Sequence, residues 1–282
     1  MEHITEALRR VRSEPQAHPS ALGAVPHLRA HRAEEVGSIV YTQTRNVVVP
    51  PAVLRERRVI TGYGPGPYAD AYKILRTQVL KRMRDLGANV LAVTSPSEGE
   101  GSTLVAINLA ISLAMEVAHT VLLVDANLRT PRAHDYFGLR SAAGLSHYLT
   151  QDAALEDLLI HPGIDHFVWL PAGERLATSS EMLGSPRMAA LVDELKHRYP
   201  SRIVIFDLPP VLSAADALAF APLADCALLV VEEGKTPADK VAQAAHLLGS
   251  RLIGTVLNKS QESMREPAKT KRGLFSRLLQ RG

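Results

Sequence analysis

The segment Val93-Thr94-Ser95-Pro96-Ser97-Glu98-Gly99-Glu100-Gly101-Ser102-Thr103-Leu104 has the residue types needed to hold phosphate. Gly99 and Gly101 permit backbone angles that turn successive N–H groups inward onto an anion. A helix starting directly behind them adds the positive end of its dipole. Thr103 is placed to offer its hydroxyl to a magnesium ion. The expected nucleotide-binding positions are therefore Gly99, Glu100, Gly101, Ser102, Thr103 and Leu104. Loops of the pattern G-x-x-x-x-G-K-[ST] carry a lysine just before the hydroxyl residue. This chain has Ser102 there, and Pro96 where the first glycine of the pattern falls. A serine offers a hydrogen bond but no charge.

Two acids complete the chemistry. Asp125 ends an apolar run in Asp125-Ala126-Asn127-Leu128-Arg129, and Asp207 ends another in Phe206-Asp207-Leu208-Pro209-Pro210. Carboxylates at strand ends beside a phosphate loop are the parts that hold magnesium and orient its waters, so Asp125 and Asp207 are the catalytic candidates and, with Thr103, the metal candidates. Arg129 follows the Asp125 strand and has two readings, a reach to phosphate or a neighbouring subunit, or a surface ion pair. His119, His134 and His147 lack metal-ligand spacing. Phe167 and Trp169 read as core, and Cys226 as a small buried hydrophobe.

These residues need a scaffold. Apolar strands are expected at Val90–Thr94, Val121–Val124, Phe167–Leu170, Ile203–Phe206, Ala227–Val231 and Leu252–Leu257, and helices at 69–86, 103–118, 188–199 and 237–248. Their alternation predicts an α/β fold, a doubly wound and mostly parallel sheet of P-loop NTPase type with an irregular N-terminal arm. In such sheets ligands bind beyond the carboxyl ends of the strands. The loop, Asp125 and Asp207 each follow a strand directly. The chain divides into a helix (Met1–Arg12) and linker arm over 1–67, a nucleotide-binding domain over 68–260 and a basic tail over 261–282. An extended piece is expected at Ser38–Tyr41.

Composition narrows the classes. Hydrophobic content of 46% with 22% charged residues is that of a globular chain. No apolar run approaches the ~20 residues that span a bilayer. Met1–Pro15 has no apolar signal core, and a single cysteine excludes an intrachain disulfide, so a cytoplasmic location is expected. A net charge of +3 is too small to argue for nucleic acid.

The same residues resemble the bacterial tyrosine kinases (BY-kinases) of exopolysaccharide synthesis, relatives of the deviant Walker-A ATPases that place division sites and partition chromosomes. The resemblance runs from about Tyr68 to Lys259. It rests on Tyr72-Lys73-Ile74-Leu75-Arg76-Thr77, Gly99-Glu100-Gly101 with Asn108-Leu109-Ala110, Val121-Leu122-Leu123-Val124-Asp125 with Leu128-Arg129 and Pro131, Gly144-Leu145-Ser146, Leu170-Pro171-Ala172-Gly173, and Asp207-Leu208-Pro209-Pro210-Val211-Leu212 with Asp216-Ala217. Ile4-Thr5-Glu6-Ala7-Leu8 also resembles the start of the branch encoded with exosortase-linked polysaccharide clusters.

The resemblance implies ATP or ADP with Mg2+ in the site, Thr103 and Asp125 serving the metal, and Asp207 as the Walker-B acid. It implies Asn258 facing the adenine, and work with a membrane chain-length or export protein of the polysaccharide co-polymerase type. The family's oligomer-forming helix corresponds to Asp70, Lys73 and Arg76, a softened version of its acid–base pattern. The chain departs from the family at Ser102, at Asn127 in place of a second aspartate, and in having no tyrosine after Tyr199. Phosphoryl transfer needs positive charge on the β/γ oxygens in the transition state. The leading expectation is therefore an ATP-binding partner in exopolysaccharide synthesis or export whose nucleotide binding is weakened and whose kinase activity falls much further. An active ATPase or tyrosine autokinase, with another cation in the lysine's place, is the second. A membrane-surface ATPase switch of the division-site type is the third.

The tail places Leu274, Phe275, Leu278 and Leu279 on one face of a helix beginning at Gly273, with Lys269, Lys271 and Arg272 before it and Arg277 and Arg281 off the stripe. That pattern suits the inner face of an anionic membrane, where each basic residue contributes about 1 kcal/mol. The full chain is expected to co-sediment with anionic vesicles at low salt, and a version ending at Pro267 to remain in the supernatant. Equal behaviour of the two removes the tail as an anchor.

Overall fold

A computed structural model of the chain describes residues 44–60, 67–116, 119–140, 142–198 and 201–260. The helix expected at Met1–Arg12, the extended piece at Ser38–Tyr41 and the tail stripe Leu274, Phe275, Leu278 and Leu279 lie outside these residues. In chain order the elements are β1 (Arg45–Asn46), α1 (Pro51–Glu56), α2 (Pro67–Leu86), β2 (Val90–Thr94), α3 (Ser102–Ala114), β3 (Thr120–Asp125), α4 (Ala133–Tyr136), α5 (Leu145–Gln151), α6 (Leu155–Leu158), β4 (Ile160–His161), β5 (Phe167–Leu170), α7 (Ser179–Leu183), α8 (Pro186–Arg198), β6 (Arg202–Asp207), α9 (Asp216–Phe220), β7 (Cys226–Glu232), α10 (Ala238–Leu248) and β8 (Leu252–Asn258).

The strands form an eight-stranded sheet in the order β1-β4-β5-β3-β6-β2-β7-β8. All pairs are parallel except β4 with β5. The central strands β2 and β3 are buried along their whole length because helices cover both faces. On one face Leu91, Val93, Leu123 and Ile205 meet α3 and, beyond it, Val79, Leu80 and Met83 of α2. On the other, Val90, Ala92, Val124 and Phe206 meet Met188, Leu191 and Leu195 of α8 and Ala244 and Leu248 of α10. The strands place the phosphate loop, Asp125 and Asp207 at one end of the sheet, as their order in the sequence requires.

The helix behind the loop is shorter than its apolar pattern suggests. It ends at Ala114, where the N–H of Met115 still reaches Ile111 O but the N–H of Glu116 tightens onto Leu113 O, at 3.1 and 3.0 Å. Val105 to Ala114 are all buried, since α3 lies between the sheet and an outer layer. Its polar residues are satisfied by that layer. Ser112 Oγ donates to Tyr72 O at 3.3 Å, and Ser112 O accepts from Arg76 at 2.8 Å.

Residues 44–60, read from the sequence as part of a linker arm, are packed into this layer. β1 pairs in register with β4, Arg45 opposite Ile160 and Asn46 opposite His161. Val49, Leu54, Val59 and Ile60 are buried in the same cluster as α3. A two-residue strand and a six-residue helix carry too little period to be read in advance. Asn108, in the middle of α3, clasps the segment: its Oδ1 accepts the Ile60 N–H and its Nδ2 donates to Arg58 O, both at 3.0 Å. Asn108→Ala leaves both backbone groups without their partner. It is expected to lower stability to urea by about 2–3 kcal/mol and to open residues 44–60 to hydrogen exchange. A change below about 0.5 kcal/mol, within the range of neutral substitutions, counts against the clasp.

Candidate functional site

The register of the sheet assembles the site. β2, which delivers the loop, pairs with β6 so that Val93 lies opposite Asp207. β6 in turn pairs with β3 so that Asp207 lies opposite Asp125, and the Ala126 N–H closes that pair on Asp207 O at 2.9 Å. Thr94 Oγ1 donates to Pro209 O at 2.8 Å, and the Val211 N–H to Ser95 O at 2.9 Å, tying the loops after β2 and β6 together.

Gly99 and Gly101 both have positive φ, 80° and 89°. At Gly101 a side chain would run into Asn258 Nδ2, which crosses the loop to donate to Glu100 O at 2.8 Å. Gly101 is the N-cap of α3 and gives it no side-chain cap, so the first amides of the helix are left for an anion. Ser102 and Thr103 occupy that first turn and are half-buried. The Leu104 side chain packs on the core, so what it can give a phosphate is its backbone amide.

Asp125 and Asp207 are each 1% exposed. Asp125 is partly compensated, its two oxygens accepting from the Asn127 and Ala133 N–H groups at 3.2 and 3.4 Å. Burial still pushes its carboxyl up from the usual range, with those N–H groups pulling the other way. Among the described residues neither oxygen of Asp207 has a hydrogen-bond partner. Burial, then the charge of Asp125, push it well up, while the Thr103 hydroxyl on its near side opposes without reaching normal hydrogen-bond geometry. Two buried acids side by side, one with both oxygens unpartnered, beside a hydroxyl are a cation site by chemistry. They fit Mg2+, which takes most of its shell from water and phosphate and needs few protein ligands.

Other expected positions fall differently. The Glu100 side chain turns away from the cradle and is buried, accepting from Thr236 Oγ1 at 3.0 Å, and burial raises its carboxyl. Arg129 forms an ion pair, Nε to Asp216 Oδ2 at 2.8 Å, with Asp216 fully buried and also held by Ser179. That joins the loops after β3, β5 and β6. Asn127 accepts from the Thr130 N–H at 3.1 Å and shapes the turn. Asp70 and Lys73 pair with each other within α2 at 2.9 Å, but Arg76 points inward to Ser112 O and to Glu116 at 3.1 Å. Of the three residues matched to the oligomer-forming helix, α2 thus leaves Asp70 and Lys73 toward solvent and turns Arg76 onto α3.

Spacing gave no sign of several residues around the loop. Lys259 Nζ donates to Gly99 O at 2.7 Å and to Glu232 at 2.9 Å. Lys240 Nζ lies 3.4 Å from Ser97 Oγ. Both reach the loop from far along the chain, and the one available signal was their place after β7 and β8, at the ligand end of the sheet.

No family model matches the chain. The tyrosine-protein kinase YwqD of Bacillus subtilis (strain 168) is 33% identical over 193 residues, spanning 67% of this chain and 80% of that protein. The succinoglycan biosynthesis transport protein ExoP of Rhizobium meliloti (strain 1021) is 30% identical over 212 residues, 73% of this chain and 27% of that longer protein. Among solved structures, the kinase domain of Escherichia coli tyrosine kinase ETK matches with a TM-score of 0.64 and 27% identity, over 80% of this chain and 92% of that one. The septum site-determining protein MinD of Pyrococcus horikoshii shares the P-loop fold, with a TM-score of 0.51 and 23% identity over 64% of this chain and 74% of its own. The identity to YwqD across most of that kinase, on a sheet that brings a phosphate loop and two acids to one end, shows that this chain belongs to the bacterial tyrosine-protein kinase family.

Proposed function

We propose that the protein is a Mg-nucleotide-binding partner in exopolysaccharide synthesis or export, with its tyrosine kinase activity severely impaired. The observation that carries this reading is an intact acid pair and glycine cradle around a loop with Ser102 in the lysine position. The loop amides and the acid-held metal bind the ground state of a nucleotide. Charge moving onto the β/γ oxygens is what the lysine serves, and a hydroxyl cannot follow it. Mg2+, when bound, neutralises phosphate charge; Asp207, Asp125 and Thr103 are the residues that would hold it. The relation to ExoP supports a role beside a membrane chain-length or export protein of the co-polymerase type. The exposed Asp70–Lys73 pair and Ile74 on α2 leave a face on which copies of the chain or a related kinase can assemble.

Calorimetry with Mg-ADP and Mg-ATP tests the reading. The wild-type chain is expected to bind, and Ser102→Lys to bind about 1–3 kcal/mol more tightly, the scale of a charge-assisted hydrogen bond. Phosphotyrosine on the purified wild-type protein with Mg-ATP is expected to be negligible. Robust phosphotyrosine, lost on Asp125→Ala, would establish an active autokinase instead. Binding by neither form would leave a structural P-loop fold.

The acid pair gives a second test. Asp207→Asn removes a buried carboxylate that faces another across the strand pair. Without nucleotide or metal it is expected to raise stability by about 1–3 kcal/mol, while abolishing the added protection by Mg-ADP in thermal melts. Unchanged Mg-ADP protection in the variant means that the acid does not serve the metal.

A further inference from the structure

We propose that Lys240, in the first turn of α10, supplies the positive charge that the phosphate loop lacks at Ser102, meeting the β- or γ-phosphate of a bound nucleotide from the outer side of the loop. The inference rests on the nucleotide-binding reading above and adds a residue that the loop pattern does not contain.

Its ammonium is already at the loop. Lys240 Nζ stands 3.4 Å from the Ser97 hydroxyl, in the leading half of the segment that wraps the phosphates. Its charge also reaches the Glu100 carboxyl farther along the same loop. The neighbouring lysines are committed elsewhere. Lys259 Nζ is shared between Gly99 O and Glu232 Oε2, and Lys235 Nζ sits 3.3 Å from the same carboxylate oxygen. Among the described residues Lys240 makes no ion pair; its one hydrogen-bond partner there is a hydroxyl.

The mounting suits the task. Thr236 accepts from the Glu232 N–H at 3.1 Å and donates to Glu100 at 3.0 Å, so the turn leading into α10 is bonded to the loop itself. Lys240 follows after Pro237, the N-cap of the helix. The base of its side chain is thereby held at a fixed place beside the loop, while the exposed four-carbon stem stays mobile. A neutral hydroxyl is a weak partner for an ammonium and a phosphate oxygen a strong one, so a nucleotide draws the charge from Ser97 toward the phosphates. A cation arriving from outside strengthens binding of the ground state. It does not stand between the β and γ groups as the residue before the metal-binding hydroxyl does, and Ser102 still leaves the transition state underserved.

The test is binding of Mg-ADP and Mg-ATP to the full chain at low salt, by calorimetry, in a double-mutant cycle of Lys240→Ala with Ser102→Lys. Lys240→Ala is expected to weaken Mg-ATP binding about tenfold, and Lys240→Arg to retain it within about twofold. Lys235→Ala, whose charge is held by Glu232, is expected to stay within about twofold of the wild type. In the Ser102→Lys background the cost of Lys240→Ala should fall below about twofold, because the lysine introduced before Thr103 takes over its work. Wild-type binding that Lys240→Ala leaves unchanged overturns the proposal alone. An equal loss in both backgrounds also overturns it, since the residue then acts on loop packing rather than on phosphate charge. Absence of binding by both the wild type and Ser102→Lys overturns this proposal together with the nucleotide reading.

Discussion

Asp125 and Asp207 lie side by side out of water, and the rest of the site is arranged around that fact. Like charges taken into a low-dielectric interior repel strongly and lose their hydration, so the pair persists only with a compensating cation or a shared proton. The in-register pairing of β3 with β6 gives the acids no room to separate. β2 on the other side of β6 then brings the phosphate loop against the same acid. Strand order, not local sequence, thus converts two separate strand ends into one metal-sized site.

A site of this kind needs its loops held, because the strands fix only where each loop begins. The connections are made by hydrogen bonds between loops. Thr94 and Ser95 hold the stretch after Asp207, Arg129 and Ser179 converge on the buried Asp216, and Asn258, Lys259 and Thr236 hold the phosphate loop from the β7–β8 side. Asp216 illustrates the energetics. A fully buried carboxylate would be costly alone, but with a guanidinium and a hydroxyl on it the cost is largely offset, and what the pair adds is a fixed geometry between loops distant in the chain.

The long apolar strands were readable because burial on both faces writes itself as a nearly unbroken run of apolar residues. Val90–Thr94 is such a run, and the strand matches it residue for residue. The glycines of the loop and the acids at strand ends were readable because their chemistry depends on position relative to a strand. What escaped was set by tertiary contact. Residues 44–60 look like linker because their buried residues, Val49, Leu54, Val59 and Ile60, follow no helical or strand period; they are held by β4 and by Asn108. Glu100 reads as a loop acid, yet Thr236, distant in the chain, decides where it points. Arg76 shares its three-residue spacing with Asp70 and Lys73, but Ser112 O and Glu116 take it inward. None of these is encoded within a window short enough for periodicity to register.

The loss at Ser102 separates two jobs that a complete phosphate loop performs together. Backbone amides, the helix end and an acid-held metal respond to the charge a nucleotide already carries. A lysine before the hydroxyl residue responds to charge that develops as the bond breaks. Keeping the first set without the second leaves a protein suited, on the proposed reading, to sense nucleotide rather than consume it. Sensing requires that nucleotide change the relative stability of two arrangements. The bonds from β7 and β8 onto the loop offer the means, since Lys259 and Asn258 now occupy Gly99 and Glu100 carbonyls at the rim of the cradle. A nucleotide that reorders the rim must shift those contacts, and with them the end of β8, one of the two edge strands of the described sheet. On the proposed reading, binding energy thereby reaches the edge of the described sheet with no chemical step at the phosphate.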